Sequence, residues 1–193
     1  MKKLVNLLHY CFWIGVFMAF SGILGFGAEK PETVSVDIGM GAGDYIFELH
    51  KIGKGKYERW NEVDAEIRIK KKGSTKISQR LPVIIGIPSP TFDIIDINGD
   101  GYKDMLLYDA CAGYAGCAGP TTAADVFLYI PKLKKFIKSN TLSGRGDITV
   151  SKNKGCVTVN YKCSDQDYID EEWCFNLSTG KWKMTKSTDC ELQ

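Results

Sequence analysis

The sequence predicts an all-β protein, an antiparallel meander of hairpins folded as a sandwich or as a propeller-like assembly. Three observations predict it. Apolar Val63, Ala65, Ile67 and Ile69 alternate with Asp64, Glu66, Arg68 and Lys70, and Val157, Val159 and Tyr161 alternate with Thr158, Asn160 and Lys162, the pattern of a strand with one buried face. Turn formers separate such runs at Gly53-Lys54-Gly55, Gly73-Ser74, Asn153-Lys154-Gly155 and Ser178-Thr179-Gly180. No convincing amphipathic helix lies between them. A strong repeat of about 20 to 50 residues is not visible, which weighs against a full propeller.

Taken from the start, Lys2 and Lys3 form a basic head, Tyr10 to Phe26 an uncharged apolar run, and Gly25-Phe26-Gly27-Ala28 a set of small residues. These are the parts of a secretory signal peptide. Residues 1–28 are read as that signal and residues 29–193 as a single all-β domain, exported to the periplasm or secreted. The alternative is an uncleaved anchor, because the run approaches a membrane span in length. A mature chain of about 165 residues suits one domain with a sizeable core.

The stretch Asp96-Ile97-Asn98-Gly99-Asp100-Gly101-Tyr102-Lys103-Asp104 places oxygen-bearing side chains at alternate positions. Asp96, Asn98 and Asp100 can each offer a side-chain oxygen to a hard cation, Gly101 permits the sharp turn, the Tyr102 carbonyl can point inward and Asp104 can close the shell. The expected ion is Ca2+. An EF-hand is excluded, because the twelfth position is Leu107 where that motif needs a bidentate Glu. Flanking apolar runs, Phe92 to Ile97 and Met105 to Tyr108, read as strands, so the ion would staple a strand-to-strand turn. A metal-free turn built on the Asn-Gly and Asp-Gly dipeptides is the other reading.

Phe92 to Leu107 resembles the calcium-binding repeat of the FG-GAP and VCBS type, here in one copy. The following text, Ala124-Asp125-Val126-Phe127-Leu128-Tyr129-Ile130-Pro131, Lys135-Phe136-Ile137-Lys138 and Leu142-Ser143-Gly144, extends the similarity to small periplasmic VCBS-like proteins. Some of those act as immunity proteins that inhibit lysozyme-like effectors. The resemblance spans roughly residues 88–187, and it implies a protein partner, a peptidoglycan-cleaving enzyme.

Between the calcium strand and Val126 lies Ala110-Cys111-Ala112-Gly113-Tyr114-Ala115-Gly116-Cys117-Ala118-Gly119-Pro120-Thr121-Thr122. It is too rich in glycine and small residues for a core element and reads as a surface loop. Gly113, Tyr114 and Gly116 are the candidate partner-binding residues, since a tyrosine held between glycines has the amphipathic bulk of an interface anchor. A stapled connection without a partner is the competing reading. Tyr168 to Leu177 and Lys181 to Lys186 are expected to form the last hairpin, with Trp173, Phe175, Trp182 and Met184 in the core.

Seven cysteines occur, and removal of the signal with Cys11 leaves Cys111, Cys117, Cys156, Cys163, Cys174 and Cys190. An even set in an exported chain points to three disulfides. The preferred pairs are Cys111 with Cys117, Cys163 with Cys174, and Cys156 with Cys190.

The chain carries 25 Lys plus Arg and 23 Asp plus Glu, of which residues 1–28 hold two lysines and no acid, so the mature charge balances. Without a basic field, nucleic acid is excluded as a partner, and membrane contact is confined to an uncleaved signal. Lys70-Lys71-Lys72 and Lys132, Lys134, Lys135 and Lys138 read as solvated hairpin ends. With two histidines and neither GxSxG nor HExxH, the chain offers no usual nucleophile or metallohydrolase arrangement. A carboxylate pair such as Asp109 and Asp125 is the weaker catalytic reading. Arg145-Gly146-Asp147 spells an adhesion tripeptide best ascribed to chance. The sequence thus points to a calcium-stabilised exported binding protein, an inhibitor rather than an enzyme. A calcium-dependent adhesion or glycan-binding module of the cell envelope is the alternative.

Overall fold

The computed structural model describes residues 32–53, 63–85, 91–108, 124–163 and 167–188. Among them twelve strands form three four-stranded antiparallel sheets. The first sheet holds β1 (Glu32–Asp37), β2 (Asp44–Lys51), β3 (Val63–Lys71) and β4 (Ile77–Ile85). The second holds β5 (Thr91–Ile95), β6 (Asp104–Tyr108), β7 (Ala124–Ile130) and β8 (Lys135–Lys138). The third holds β9 (Asp147–Val150), β10 (Cys156–Lys162), β11 (Tyr168–Asn176) and β12 (Lys181–Ser187). Every sheet pairs its strands in chain order, so one topology occurs three times. The copies begin at residues 32, 91 and 147, farther apart than the repeat length sought in the sequence.

Burial explains how the sheets stack. In β2 and β3 buried positions alternate with half-buried ones, as the period-two pattern predicted. Phe47, Ile67, Ile69 and Ile85 of the first sheet share one apolar cluster with Met105, Leu107, Phe127 and Phe136 of the second. A second cluster joins Leu106, Val126 and Leu128 to Ile148, Val157 and Val159 of the third sheet. The second sheet is therefore a middle layer covered on both faces, and Met105-Leu106-Leu107 is buried at every position, as a doubly covered strand requires. The outer faces of the stack are polar. On the first sheet Lys70 pairs with Glu48 at 2.5 Å, while Arg68 and Arg80 share Glu66; on the third, Asn160 bonds Asp170 at 2.7 Å and Thr185 bonds Glu172 at 2.9 Å. Polar outer faces end the stack at three layers. The described residues thus form three packed antiparallel meanders rather than a two-sheet sandwich.

The last hairpin forms as expected. Trp173, Phe175 and Trp182 pack half-buried against the second cluster, with Phe175 and Trp182 edge to face at 5.1 Å. Met184, expected in the core, is 45% exposed, because it lies on β12, the uncovered margin of the third sheet.

Strand register also corrects the cysteine pairing. Cys156 faces Cys174 across β10 and β11, and these two form the disulfide, with Cα atoms 4.1 Å apart. This overturns the pairs Cys163 with Cys174 and Cys156 with Cys190. The β10 and β11 pairing reaches its last partners at Lys162 and Tyr168, so Cys163 sits in the connecting turn, out of reach of Cys174. Cys163 is itself disulfide-bonded. Of the three bridges expected, one, Cys156–Cys174, is seen among the described residues. Cys111, Cys117 and Cys190 lie outside them, as do the proposed signal and Gly113, Tyr114 and Gly116.

The Arg145-Gly146-Asp147 tripeptide is structural. A side chain at buried Gly146 would run into the Asn160 carbonyl. Arg145 lies over the Trp173 ring at 4.7 Å and reaches Glu171 at 3.3 Å. Buried Glu171 also accepts from the Tyr161 hydroxyl at 2.9 Å and the Trp173 indole at 2.8 Å. Three donors around one carboxylate fasten the entry to the third sheet.

Candidate functional site

The acidic loop connects β5 to β6 at one end of the middle sheet. It is wound by its own side chains. Asp96 accepts from the Gly99 amide at 2.8 Å with Oδ1 and from the Gly101 amide at 3.0 Å with Oδ2. Asn98 Oδ1 accepts from Asp100 at 3.0 Å, and Asp100 Oδ1 accepts from Tyr102 at 2.8 Å. These are successive Asx turns, each produced by a short oxygen-bearing side chain two to five residues before the amide it caps. Asn98 Nδ2 also donates to Asp100 Oδ2 at 3.1 Å, which eases the repulsion between carboxylates held so close.

Asp104, expected as the closing ligand, occupies a different place. It is fully buried at the start of β6. Its Oδ2 accepts from Ile97 at 3.0 Å and Asn98 at 3.3 Å, and its Oδ1 accepts from Tyr129 of β7 at 2.8 Å. The carboxylate thus ties both ends of the acidic loop to the next strand of the sheet. Burial, aided by the charge of Asp100, pushes the Asp104 carboxyl from 3.8 up to about 7, although the three amides pull the other way.

The sign of that shift sets a pH dependence. A folded-state carboxyl that holds its proton more tightly than the unfolded chain makes stability fall as pH rises between the two values. Glu48 and Glu66, held low by hydrogen bonds from Lys70 and Arg68, give the opposite slope in the acid range. The Asp104 effect should therefore be read at about pH 5 to 7. In chelator, wild-type stability relative to Asp104→Asn should decline across that window, measured by denaturant melts at each pH. A constant difference between the two proteins would show that Asp104 is already ionised in the fold.

Neighbouring sheets lock onto the loop. Lys103 donates its amide to the Ile38 carbonyl at 2.8 Å, and Gly101 faces the Met40 side chain in the turn between β1 and β2. On the opposite flank Gly99 and Gly155 meet backbone to backbone: a Cβ on Gly99 would lie 2.8 Å from the Gly155 nitrogen, and one on Gly155 2.7 Å from the Asn98 carbonyl. The first hairpin turns of all three sheets therefore meet around Asp96–Asp104. Sequence reading missed Ile38, Met40 and Gly155. One available signal was the likeness of Asp37-Ile38-Gly39 before Asp44 to Asp96-Ile97-Asn98-Gly99 before Asp104, with both isoleucines fully buried.

Chemically, the loop carries side-chain oxygens on Asp96, Asn98 and Asp100, hard donors of the kind Ca2+ takes. An ionised carboxylate oxygen that accepts one amide retains a lone pair for a cation. By the same rule Asp104 Oδ1, which accepts from Tyr129 alone, keeps a lone pair, although among the described residues no three His, Cys, Asp or Glu side chains gather as a metal-binding group. Elsewhere, Asp125 pairs with Lys138 at 2.7 Å, and its suggested partner Asp109 lies outside the described residues. The Lys70 and Lys72 amines likewise meet acids, Glu48 at 2.5 Å and Asp44 at 2.7 Å.

No protein-family model matches the chain, and no curated protein matches it. Among solved structures the chain is similar to one described as "Structure of a Xanthomonas Type IV Secretion System related protein", with a TM-score of 0.48, 13% sequence identity and 81% of each chain covered. A likeness at that level carries no functional argument.

Proposed function

We propose that this is an exported binding protein, an inhibitor of a peptidoglycan-cleaving enzyme, and that Ca2+ held by Asp96, Asn98, Asp100 and the Tyr102 carbonyl stiffens it. The partner class comes from the resemblance of residues 88–187 to periplasmic immunity proteins. The observation that carries a binding role is the footing of the segment that contains Gly113, Tyr114 and Gly116. Its two ends, Tyr108 and Ala124, are register partners on β6 and β7, in the layer buried on both faces. The Tyr108 hydroxyl donates to the Ile148 carbonyl at 3.1 Å, and Ala124 exchanges backbone bonds with Gly144 and Gly146 at 3.0 and 3.1 Å. Burial, with help from Asp93 and Asp147, pushes the Tyr108 hydroxyl up to about 12, so it remains a donor at physiological pH. The residues from which the segment departs are therefore held by hydrogen bonds to the third sheet and to the turn that precedes it. Glycan binding would call for tryptophans on an open flat face; among the described residues the two tryptophans, Trp173 and Trp182, are half-buried against the core.

The test is inhibition of a lysozyme-like hydrolase, paired with melting in calcium and in chelator. Tyr114→Ala should weaken inhibition by about 2 kcal/mol or more, the scale of an interface anchor, with little change in melting. Calcium at about a hundredfold above its dissociation constant should add about 2.7 kcal/mol of stability. Absence of inhibition by the wild type would overturn the partner class, and equal melting with and without calcium would remove the ion.

A further inference from the structure

The three sheets share a topology, so the last strand of each can be compared with the other two as internal controls. β4 carries Pro82, which has no N–H to offer a neighbouring strand. At β8 the Gln79 side chain spans the strand's backbone, donating to the Phe136 carbonyl at 2.7 Å and accepting from the Phe136 amide at 2.9 Å. A foreign strand would have to displace that amide.

β12 has neither device, and its one irregularity is the register shift that leaves Thr185 outside the pairing with β11. Its residues 181 and 183–187 are exposed and Trp182 is half-buried, it pairs with β11 alone, and among the described residues no backbone bond uses its outer side. Its sequence, Lys-Trp-Lys-Met-Thr-Lys-Ser, contains three lysines and no acid. Among the described residues Lys181, Lys183 and Lys186 enter no ion pair. Met184 and Leu177, 45% and 62% exposed, supply apolar surface beside them. Such an edge repels a second copy of itself, since lysine would face lysine, and complements carboxylates.

We propose that β12 is a docking edge for an extended acidic segment of a partner protein, which joins the third sheet as a fifth strand. The added backbone would pair with β12, acidic side chains of the segment would meet Lys181, Lys183 and Lys186, and an apolar side chain between them would cover Met184. This surface lies on a different sheet from the acidic loop, and the proposal stands whether or not the inhibitor reading does.

The probe is a synthetic peptide of alternating glutamate and valine, about ten residues long, added to the disulfide-bonded protein. Hydrogen exchange should slow at residues 181–187 and leave β4 and β8 unchanged. The dissociation constant should rise at least tenfold in Lys181→Glu/Lys183→Glu, and also on raising the salt concentration. Protection elsewhere, undiminished binding by the charge-reversed protein, or equal binding of an alternating lysine and valine peptide would overturn the proposal. So would protection of β12 by phosphatidylglycerol vesicles without protection by the peptide.

Discussion

Asp104→Ala should cost the fold about 3 kcal/mol or more, since a buried donor left without an acceptor costs about 1–3 kcal/mol and this carboxylate serves the amides of Ile97, Asn98 and Tyr129. The site is fully buried, and the amides belong to backbone that cannot turn away. Asp104→Asn should fall between wild type and alanine, because one carbonyl oxygen is kept. Denaturant melts in chelator measure the effect on the scaffold itself, and a loss below about 1 kcal/mol would mean that water or a local shift replaces the carboxylate. Asp100→Ala is the informative contrast. It breaks one Asx turn in a half-buried part of the loop, so in chelator it should cost much less than Asp104→Ala, while it should remove most of any calcium stabilisation.

Gly155→Ala should be the second costly change, through a residue far in sequence from the acidic loop. Gly155 has φ of 75°, where any other residue costs about 1–2 kcal/mol. An added methyl would also press on the Asn98 carbonyl at 2.7 Å, and neither backbone can give way without moving its turn. Gly180→Ala is the control, with φ of 67° and nothing within 4 Å of its Cβ position. The difference between the two losses isolates the contact between the second and third sheets, and it should exceed about 1 kcal/mol. Calcium affinity, read by titration, should fall only in Gly155→Ala. Equal losses would mean that the interlock bears no strain.

Much of the scaffold was legible along the chain because strand faces are written two residues apart. The outer sheets, with one face in water, display that alternation at Val63 to Lys70 and Val157 to Lys162, and their turns carry the glycines that positive φ demands. The central strands of the middle sheet do not alternate, because residues such as Met105, Leu106 and Leu107 are covered from both sides; composition marked β6 as a strand but could not reveal two neighbours. The acidic loop was legible as a local pattern, since its Asx turns join residues two to five apart.

What the sequence by itself determined, then, is everything that depends on near neighbours: strands, hairpin turns, the winding of Asp96 to Tyr102 and the charge balance. Tertiary structure alone decided which turns meet, and so made Gly155 and Ile38 part of the site. It also decided which cysteine faces Cys174, because cross-strand register puts Cys156 there and leaves Cys163 in the turn. The role of Asp104 belongs to the same class. Its spacing suits a cation ligand, yet Tyr129 lies 25 residues away in sequence and 2.8 Å away in space, and burial turns both carboxylate oxygens toward backbone amides.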